Sequence, residues 1–117
     1  MRNVNNIQDL LKDFEDFVDN EVNELALNIY QDAILMSPVD TGFYRGSWRV
    51  SKNHIDNSTG RSVQDYNAVK AKLSNLKGDY IYISNSVNYA NELENGHSKQ
   101  APAGVLKKAI FKNINRR

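Results

Sequence analysis

Apolar residues recur at steps of three and four along the first 36 positions of the chain, with polar residues between them. This spacing places the apolar side chains on one side of a helix. The run lasts about thirty residues, or roughly 45 Å, which is longer than the usual globular helix. We expect a long helix, ended by Pro38, of which part packs against something else. The stripe consists of Ile7, Leu10, Leu11, Phe14, Phe17, Val18, Val22, Leu25, Ile29, Ala33 and Met36.

The pattern changes to an alternation after a turn at residues 37–42. Tyr44, Trp48 and Val50 are separated by polar residues, which predicts a half-buried strand beginning near Gly46. Residues 54–62 are polar and predict a loop. A second, more polar helix is then predicted to stop at Gly78 in the C′ position. Its apolar positions are Val63, Tyr66, Val69, Leu73 and Leu76.

Three further elements are predicted in the last third of the chain. Residues 79–86, DYIYISNS, are rich in β-branched and aromatic side chains, as in a strand. A short helix follows and is closed by Gly96. Pro102 suits the first turn of a last helix, whose inner side would carry Val105, Leu106, Ala109 and Ile110. The order predicts one α+β domain over residues 1–117, with a long N-terminal helix, a small antiparallel sheet and two to three further helices packed on it.

The composition narrows the class of protein. A chain of 117 residues is expected to form one core. The absence of cysteine excludes a disulfide framework, a thiolate nucleophile and cysteine-ligated zinc. Acidic residues interrupt every apolar run near the N-terminus, so we expect neither a signal peptide nor a membrane span.

The net charge of +1 conceals an uneven distribution. Residues 1–40 carry nine acids against Arg2 and Lys12, a net of −7, whereas residues 99–117 carry six basic residues and no acid, a net of +6. The basic end could bind phosphates, or the two ends could attract each other. We favour the second interpretation, because no nucleic-acid-binding motif accompanies the lysines. A small nucleic-acid-binding module that uses the basic C-terminal helix stays the alternative.

The triplet Asp40-Thr41-Gly42 is the sequence that carries the catalytic aspartate of aspartic proteases. That site needs the aspartate on a tight loop after a strand, where two copies can share a proton. Here the triplet follows a long helix and a proline, so its context argues against a protease. We expect Asp40 to be an N-cap or Asx-turn acceptor for the amides of Gly42 and Phe43.

No other pattern indicates a catalytic, cofactor or metal site. His54 and His97 have no partner at ligand spacing, and a metal site needs three or four convergent ligands. Arg45 and Arg49 flank Trp48 and could contact phosphate, but we expect them to pair with the carboxylates of the acidic helix. The aromatic residues are interpreted as core or subunit contacts rather than a base-stacking platform; they are Trp48, Tyr80, Tyr82 and Tyr89.

The ordered segments resemble the tail-completion, or head-tail joining, family of long-tailed bacteriophages. The resemblance covers residues 8–111 and is poorest over 54–76. The first motif is SPVDTGFYRGSW, whose matching positions are Pro38, Asp40, Thr41, Gly42, Arg45, Ser47 and Trp48. The second is YANELENGHSKQAP, whose matching positions are Tyr89, Ala90, Leu93, Glu94, Gly96, Lys99 and Pro102.

This resemblance implies a structural protein of the virion neck that catalyses no reaction, needs no cofactor and is assembled in the cytoplasm of the host bacterium. It would form a ring of about six copies that completes the tail and joins it to the head connector. Its partners would be its own copies, the connector or stopper, and the tail tube or tail terminator, with DNA only passing through. A ring needs two complementary patches, and the acidic first helix and Lys107, Lys108 and Lys112 are the candidates.

Overall fold

The computed structural model describes residues 7–38, 42–78, 80–95 and 104–115. The predicted α+β class is confirmed, since a long N-terminal helix, a small sheet and further helices succeed one another. In chain order the elements are α1 (Ile7–Met36), α2 (Phe43–Gly46), β1 (Trp48–Lys52), α3 (Tyr66–Asn75), β2 (Ile81–Asn85), α4 (Ala90–Glu94) and α5 (Leu106–Asn115).

Strands β1 and β2 form an antiparallel pair, in which Trp48 lies opposite Asn85 and Lys52 lies opposite Ile81. Two strands alone are marginally stable, so the sheet depends on the helices that cover it. The C-terminal half of α1 packs against both strands and against α5. The buried core between them contains Leu27, Ile29, Tyr30, Ala33, Ile34, Tyr44, Trp48, Val50, Val69, Leu73, Val87, Val105 and Ala109.

The C-terminal end of α1 is held by side-chain donors. Ser37 Oγ donates to Ala33 O over 2.6 Å, and Arg45 Nε donates to Ile34 O over 2.9 Å. These bonds satisfy carbonyls that a helix leaves without an intrahelical partner in its last turn. They also fix the direction of the chain as it leaves the helix toward α2.

The strand predicted to begin near Gly46 begins at Trp48, and Tyr44 of the alternating pattern lies in α2. The prediction that this strand is half-buried is wrong. All five residues of β1 are buried, including Arg49, Ser51 and Lys52. The reason is that neighbouring loops supply partners for the polar side chains. On the second face, Arg49 Nε donates to Ser58 Oγ and Ser51 Oγ donates to His54 O over 2.5 Å. On the face of Trp48 and Val50, Lys52 Nζ donates to Leu76 O. The alternating pattern correctly indicated that one face of β1 is polar, but loop segments cover that face and bury it.

The predicted end of the second helix is also corrected. Helix α3 begins after Asp65, whose carboxylate accepts from Ala68 N, and ends at Asn75, before Gly78. Gly78 has a different role, because the side-chain amide of Asn53 occupies the space where a Cβ would stand. The same amide donates to Lys77 O over 2.6 Å and joins the end of β1 to the segment before β2.

The inner face predicted for the last helix is confirmed. Val105 and Ala109 are fully buried, and Leu106 and Ile110 pack against the core from partly exposed positions. The predicted roles of Gly96 and Pro102 fall outside the described residues. Within those residues, no helix is both long enough and apolar enough to span a bilayer.

Candidate assembly interface

The first motif forms a buried junction between α1, α2 and β1. Trp48 is 3% exposed, and its indole Nε1 donates to Ser37 Oγ over 2.8 Å. Tyr44 meets Trp48 edge to face, with ring centroids 5.6 Å apart. Pro38 lies half-buried where the chain leaves α1. The described side chains of this motif therefore hold the fold together and present little surface to a partner.

Ser47 and Gly46 bring the connection after β1 against this junction. The Ser47 hydroxyl is buried and bonds both polar groups of Gly60, donating to its carbonyl over 3.1 Å and accepting from its amide over 3.0 Å. A Cβ on Gly46 would lie 2.6 Å from the carbonyl carbon of Arg61. This close approach of two backbone segments explains why the motif has a small residue at position 46.

Gly42 begins the helical turn of α2 in the left-handed region, with a φ of 74°. Gly42 itself occupies the N-cap position of α2. The capping roles predicted for Asp40 and Thr41 fall outside the described residues. The chain after Gly42 continues as a helical turn, which differs from the strand and loop setting of an aspartic protease site.

The second motif anchors α5 through one carboxylate. Glu94 accepts three backbone N–H groups at the start of α5: Oε1 from Val105 over 3.1 Å and from Leu106 over 2.7 Å, and Oε2 from Lys107 over 2.8 Å. The first N–H groups of a helix have no intrahelical acceptor, and a negative charge there is favourable. A residue on α4 thus caps a helix that lies eleven or more positions further along the chain.

The other described residues of this motif pack beside the core. Tyr89, Ala90 and Leu93 are half-buried against it, and the ring of Tyr89 lies 6.1 Å from that of Tyr44. Burial raises the pKa of Tyr44 well above its usual value, and the nearby Glu94 carboxylate raises it further. Tyr44 therefore stays protonated and serves as a packing residue. Gly96, Lys99 and Pro102 lie outside the described residues.

The two arginines beside Trp48 bind backbone and hydroxyl groups where carboxylates were expected. Arg45 Nε donates to Ile34 O. Arg49 is buried, and its Nη1 donates to Gly46 O over 2.8 Å and to Trp48 O over 2.9 Å. Carbonyl oxygens next to a buried guanidinium satisfy its donors locally. The sequence gives only the charge of Arg45 and Arg49, so the prediction that they pair with carboxylates was wrong.

An ion pair between described residues joins the acidic first helix to the basic last helix. Lys112 Nζ lies 3.4 Å from Asp32 Oδ1, and Asn113 Nδ2 donates to Asp32 Oδ2 over 2.8 Å. Lys112 thus has a partner within its own subunit. Lys107 and Lys108 are exposed on the outer side of α5.

The N-terminal half of α1 presents apolar side chains to solvent. We name residues 7–22 the arm. Ile7 is 74% exposed and Phe14 is 63% exposed, and the same stripe continues into the buried half of the helix. Its exposed apolar side chains are Ile7, Leu10, Leu11, Phe14, Phe17, Val18 and Val22. Patches of this kind on a folded protein mark interaction sites.

A second exposed apolar pair lies on α5 and was missed by sequence reasoning. Phe111 is 63% exposed, Ile114 is also largely exposed, and both lie beside Lys107 on the helix. We name Lys107, Lys108, Phe111 and Ile114 the α5 face. The signal was available, since positions 107, 111 and 114 follow helical spacing opposite the inner residues 105 and 109.

The described residues carry little that suits catalysis or metal binding. No cluster of three or more His, Asp or Glu side chains in that part of the chain could hold a metal ion. A groove of about 330 Å³ between α1 and α3 is lined mainly by amides and charged groups, including Asn20, Asn23 and Lys70. His54 is exposed, and His97 lies outside the described residues.

These observations define a class of protein: a small α+β subunit in which the described motif residues serve its own fold and the exposed apolar surfaces suit assembly. A family model described as "Bacteriophage HK97-gp10, putative tail-component" matches residues 2–96. The chain belongs to this family and is a phage tail component, a virion protein whose partners are other virion proteins. Comparisons with curated proteins and with solved structures gave no significant match.

Proposed function

We propose that this chain is a structural subunit of the phage neck that forms a closed ring, completes the tail and joins it to the head connector. Its role is structural and requires no catalysis. We expect about six copies. At every contact in the ring, one patch of a subunit packs against a different patch of the next subunit. DNA passes through the ring as cargo and is not the ligand that the subunit recognises.

The exposed arm is the observation that carries this proposal. An isolated subunit exposes seven large apolar side chains along residues 7–22, whereas Leu27, Tyr30 and Ala33 of the same helix are packed in the core. Burying one such side chain contributes about 1.5–3 kcal/mol, so a surface of this composition favours association. A tail component meets its partners as neighbouring protein surfaces, and the arm supplies one.

The position in the particle can be tested by removing the gene from the phage and imaging the products by electron microscopy. A protein that completes the tail and joins it to the head should leave DNA-filled heads and separate tails of normal length. Supplying the intact chain in trans should restore joined particles. Absent tails, or tails of altered length, would instead indicate a role in building the tail tube and would contradict the neck assignment.

The copy number and location need a second measurement on intact particles. A small tag at the C-terminus, detected by labelling and averaging of particle images, should lie at the head-tail junction with the rotational symmetry of the ring. Particles that carry the tag elsewhere, or that lack the chain, would contradict the proposal. A wild-type phage with a tag on a capsid protein provides the control for labelling.

The lysines of α5 allow the nucleic-acid alternative to be tested directly. Lys112 is exposed but forms an ion pair with Asp32, and Lys107 and Lys108 are exposed on the outer side of α5. Two exposed lysines form a weak phosphate-binding surface. We expect no tight binding of duplex DNA at physiological salt, and a strong affinity that falls steeply with salt would favour the alternative.

A further inference from the structure

The arm and the α5 face carry opposite charges around apolar centres. Residues 7–22 contain six acids and Lys12, a net of −5, whereas residues 106–115 contain three lysines and no acid, a net of +3. At about 100° per residue, Glu15 lies at one edge of the apolar stripe of the arm, and Glu21 lies within the stripe, between Phe14 and Phe17. On α5, Lys107 and Lys108 border Phe111.

The fold prevents one subunit from joining these two surfaces to each other. The Asp32–Lys112 ion pair and the Asp32–Asn113 hydrogen bond hold α5 beside the C-terminal half of α1. Ten residues of continuous helix, about 15 Å, separate Val22 from Asp32. The arm therefore cannot fold back onto its own α5 without breaking α1.

Pairing of two arms with each other is disfavoured by charge. Each arm has a net charge of −5, so two arms packed along their apolar stripes would bring like charges together. The α5 face offers apolar side chains with the opposite charge. Phe111 projects away from the core, since it lies on the side of α5 opposite Val105 and Ala109, which are fully buried.

We propose that the arm of one subunit packs on the α5 face of a second copy of this chain, with Phe14 and Phe17 against Phe111 and Ile114 and with Glu15 and Glu21 near Lys107 and Lys108. The contact joins two different surfaces, so it repeats from copy to copy and closes into a ring or extends into a filament. It rests on the proposed function, because it identifies the contact from which that ring is built.

The decisive experiment uses two variants of the full chain, each with one surface blocked. Phe14→Gln with Phe17→Gln blocks the arm, and Phe111→Gln with Ile114→Gln blocks the α5 face. All four side chains are exposed, so both variants should keep the wild-type circular dichroism and unfolding transition. Each variant should be monomeric by sedimentation velocity, and their mixture should form a 1:1 dimer that grows no further.

Two results would overturn the contact. A face-blocked variant that still self-associates would show that arms pair with each other or bind elsewhere, and a mixture that stays monomeric while the wild type associates would show that these surfaces do not meet. A wild-type chain that stays monomeric at its highest soluble concentration would also contradict the contact. The labelling experiment on particles is independent of these outcomes, so failure of the contact is distinguishable from failure of the neck assignment.

Charge reversal tests the proposed orientation. Glu15→Lys with Glu21→Lys, or Lys107→Glu with Lys108→Glu, should each weaken association by roughly tenfold, and combining the two pairs should restore it. The matched control is Asp16→Lys with Asp19→Lys, which makes the same change of charge away from the apolar stripe and should have a smaller effect. If the chain that combines both pairs of reversals still associates weakly, the proposed pairing of these charges is wrong.

Discussion

The two halves of α1 share one helix and one apolar period but have opposite environments. Residues 23–36 include Leu27, Tyr30 and Ala33, which are almost completely buried against the sheet and α5. Residues 7–22 carry equally large apolar side chains that remain exposed. The comparison shows that helical periodicity specifies which side of a helix is apolar, whereas the surrounding elements decide whether that side becomes core or interface.

The difference also separates stability from assembly. Side chains in the buried half stabilise the isolated subunit, because folding removes them from water. Side chains in the arm contribute little to the folding of a single copy, so the free energy of burying them is available for an intermolecular contact. Substitutions in the two halves should therefore affect different measurements.

The largest expected effect comes from matched truncations in the two halves. Leu27→Ala should lower the free energy of unfolding by about 2–5 kcal/mol, since it leaves a cavity in the core. Phe14→Ala should change it by less than about 0.5 kcal/mol, because that side chain is exposed in the monomer. Urea denaturation at low protein concentration measures both. If both variants lost the same free energy of unfolding, the two halves of α1 would not differ in their role, and the arm would be part of the folding unit.

The second prediction concerns the junction that positions the buried half. Gly46→Ala should destabilise the subunit by about 1–3 kcal/mol, because the new methyl group would press on the backbone of Arg61. Gly60→Ala is the control, since its Cβ would make an ordinary contact at 3.6 Å with the guanidinium of Arg49. Thermal unfolding of the two variants should differ clearly. A tolerated alanine at position 46 would mean that the connection after β1 is displaced at low cost.

A smaller loss is expected from removing the cap of α5. Glu94→Ala should lower the free energy of unfolding by about 1–2 kcal/mol, because three backbone amides lose their acceptor. Glu92→Ala, on the exposed side of the same short helix, should have little effect. Hydrogen exchange of the amides of 105–107 would show whether the loss is local. Unchanged protection at these amides would contradict the capping role.

The smallest effect at neutral pH is expected from Tyr30→Phe. The Tyr30 hydroxyl is buried and has no hydrogen-bond partner among the described residues, so its removal should be neutral or slightly stabilising. Burial raises the pKa of Tyr30 above 10.0, with a smaller opposing effect of Arg49. Its contribution to stability is complete below pH 10 and declines as the pH rises above that value, because the unfolded chain then ionises first.

Alkaline unfolding provides the measurement. The variant should gain stability relative to the wild type as the pH rises above about 10. Tyr80→Phe, which removes a hydroxyl from an exposed ring, is the control and should show no such gain. A constant difference between Tyr30→Phe and the wild type across this range would show that the hydroxyl is solvated in the folded state.

Sequence reasoning succeeded where a single segment decides the outcome. The period of α1, the β-rich composition of β2 and the inner face of α5 are local patterns, and the structure confirms each. It failed where distant segments meet. The polar side chains of β1 are buried because the segments 53–65 and 76–78 lie over them. The partners of Arg45 and Arg49 are carbonyls whose position only the folded chain defines.

The sequence predicted some features of the candidate interface but not which residues form it. The length of the apolar stripe indicated that part of α1 packs outside its own core, and the charge asymmetry indicated two complementary ends. The sequence did not show which half of α1 is exposed. It also did not show that Lys112 is paired within the subunit, or that Phe111 and Ile114 lie outside the core.

The sequence by itself determined that α1, β2 and α5 form, which side of α1 and of α5 faces the core, and a family whose members are tail components. These properties follow from backbone periodicity and from residues close together in the chain. Tertiary structure alone decided that Glu94 caps α5, that loops bury the second face of β1, and that the core ends near Asn23 and leaves the arm exposed. Each of these depends on contacts between residues far apart in sequence, and only the packed chain brings such residues together.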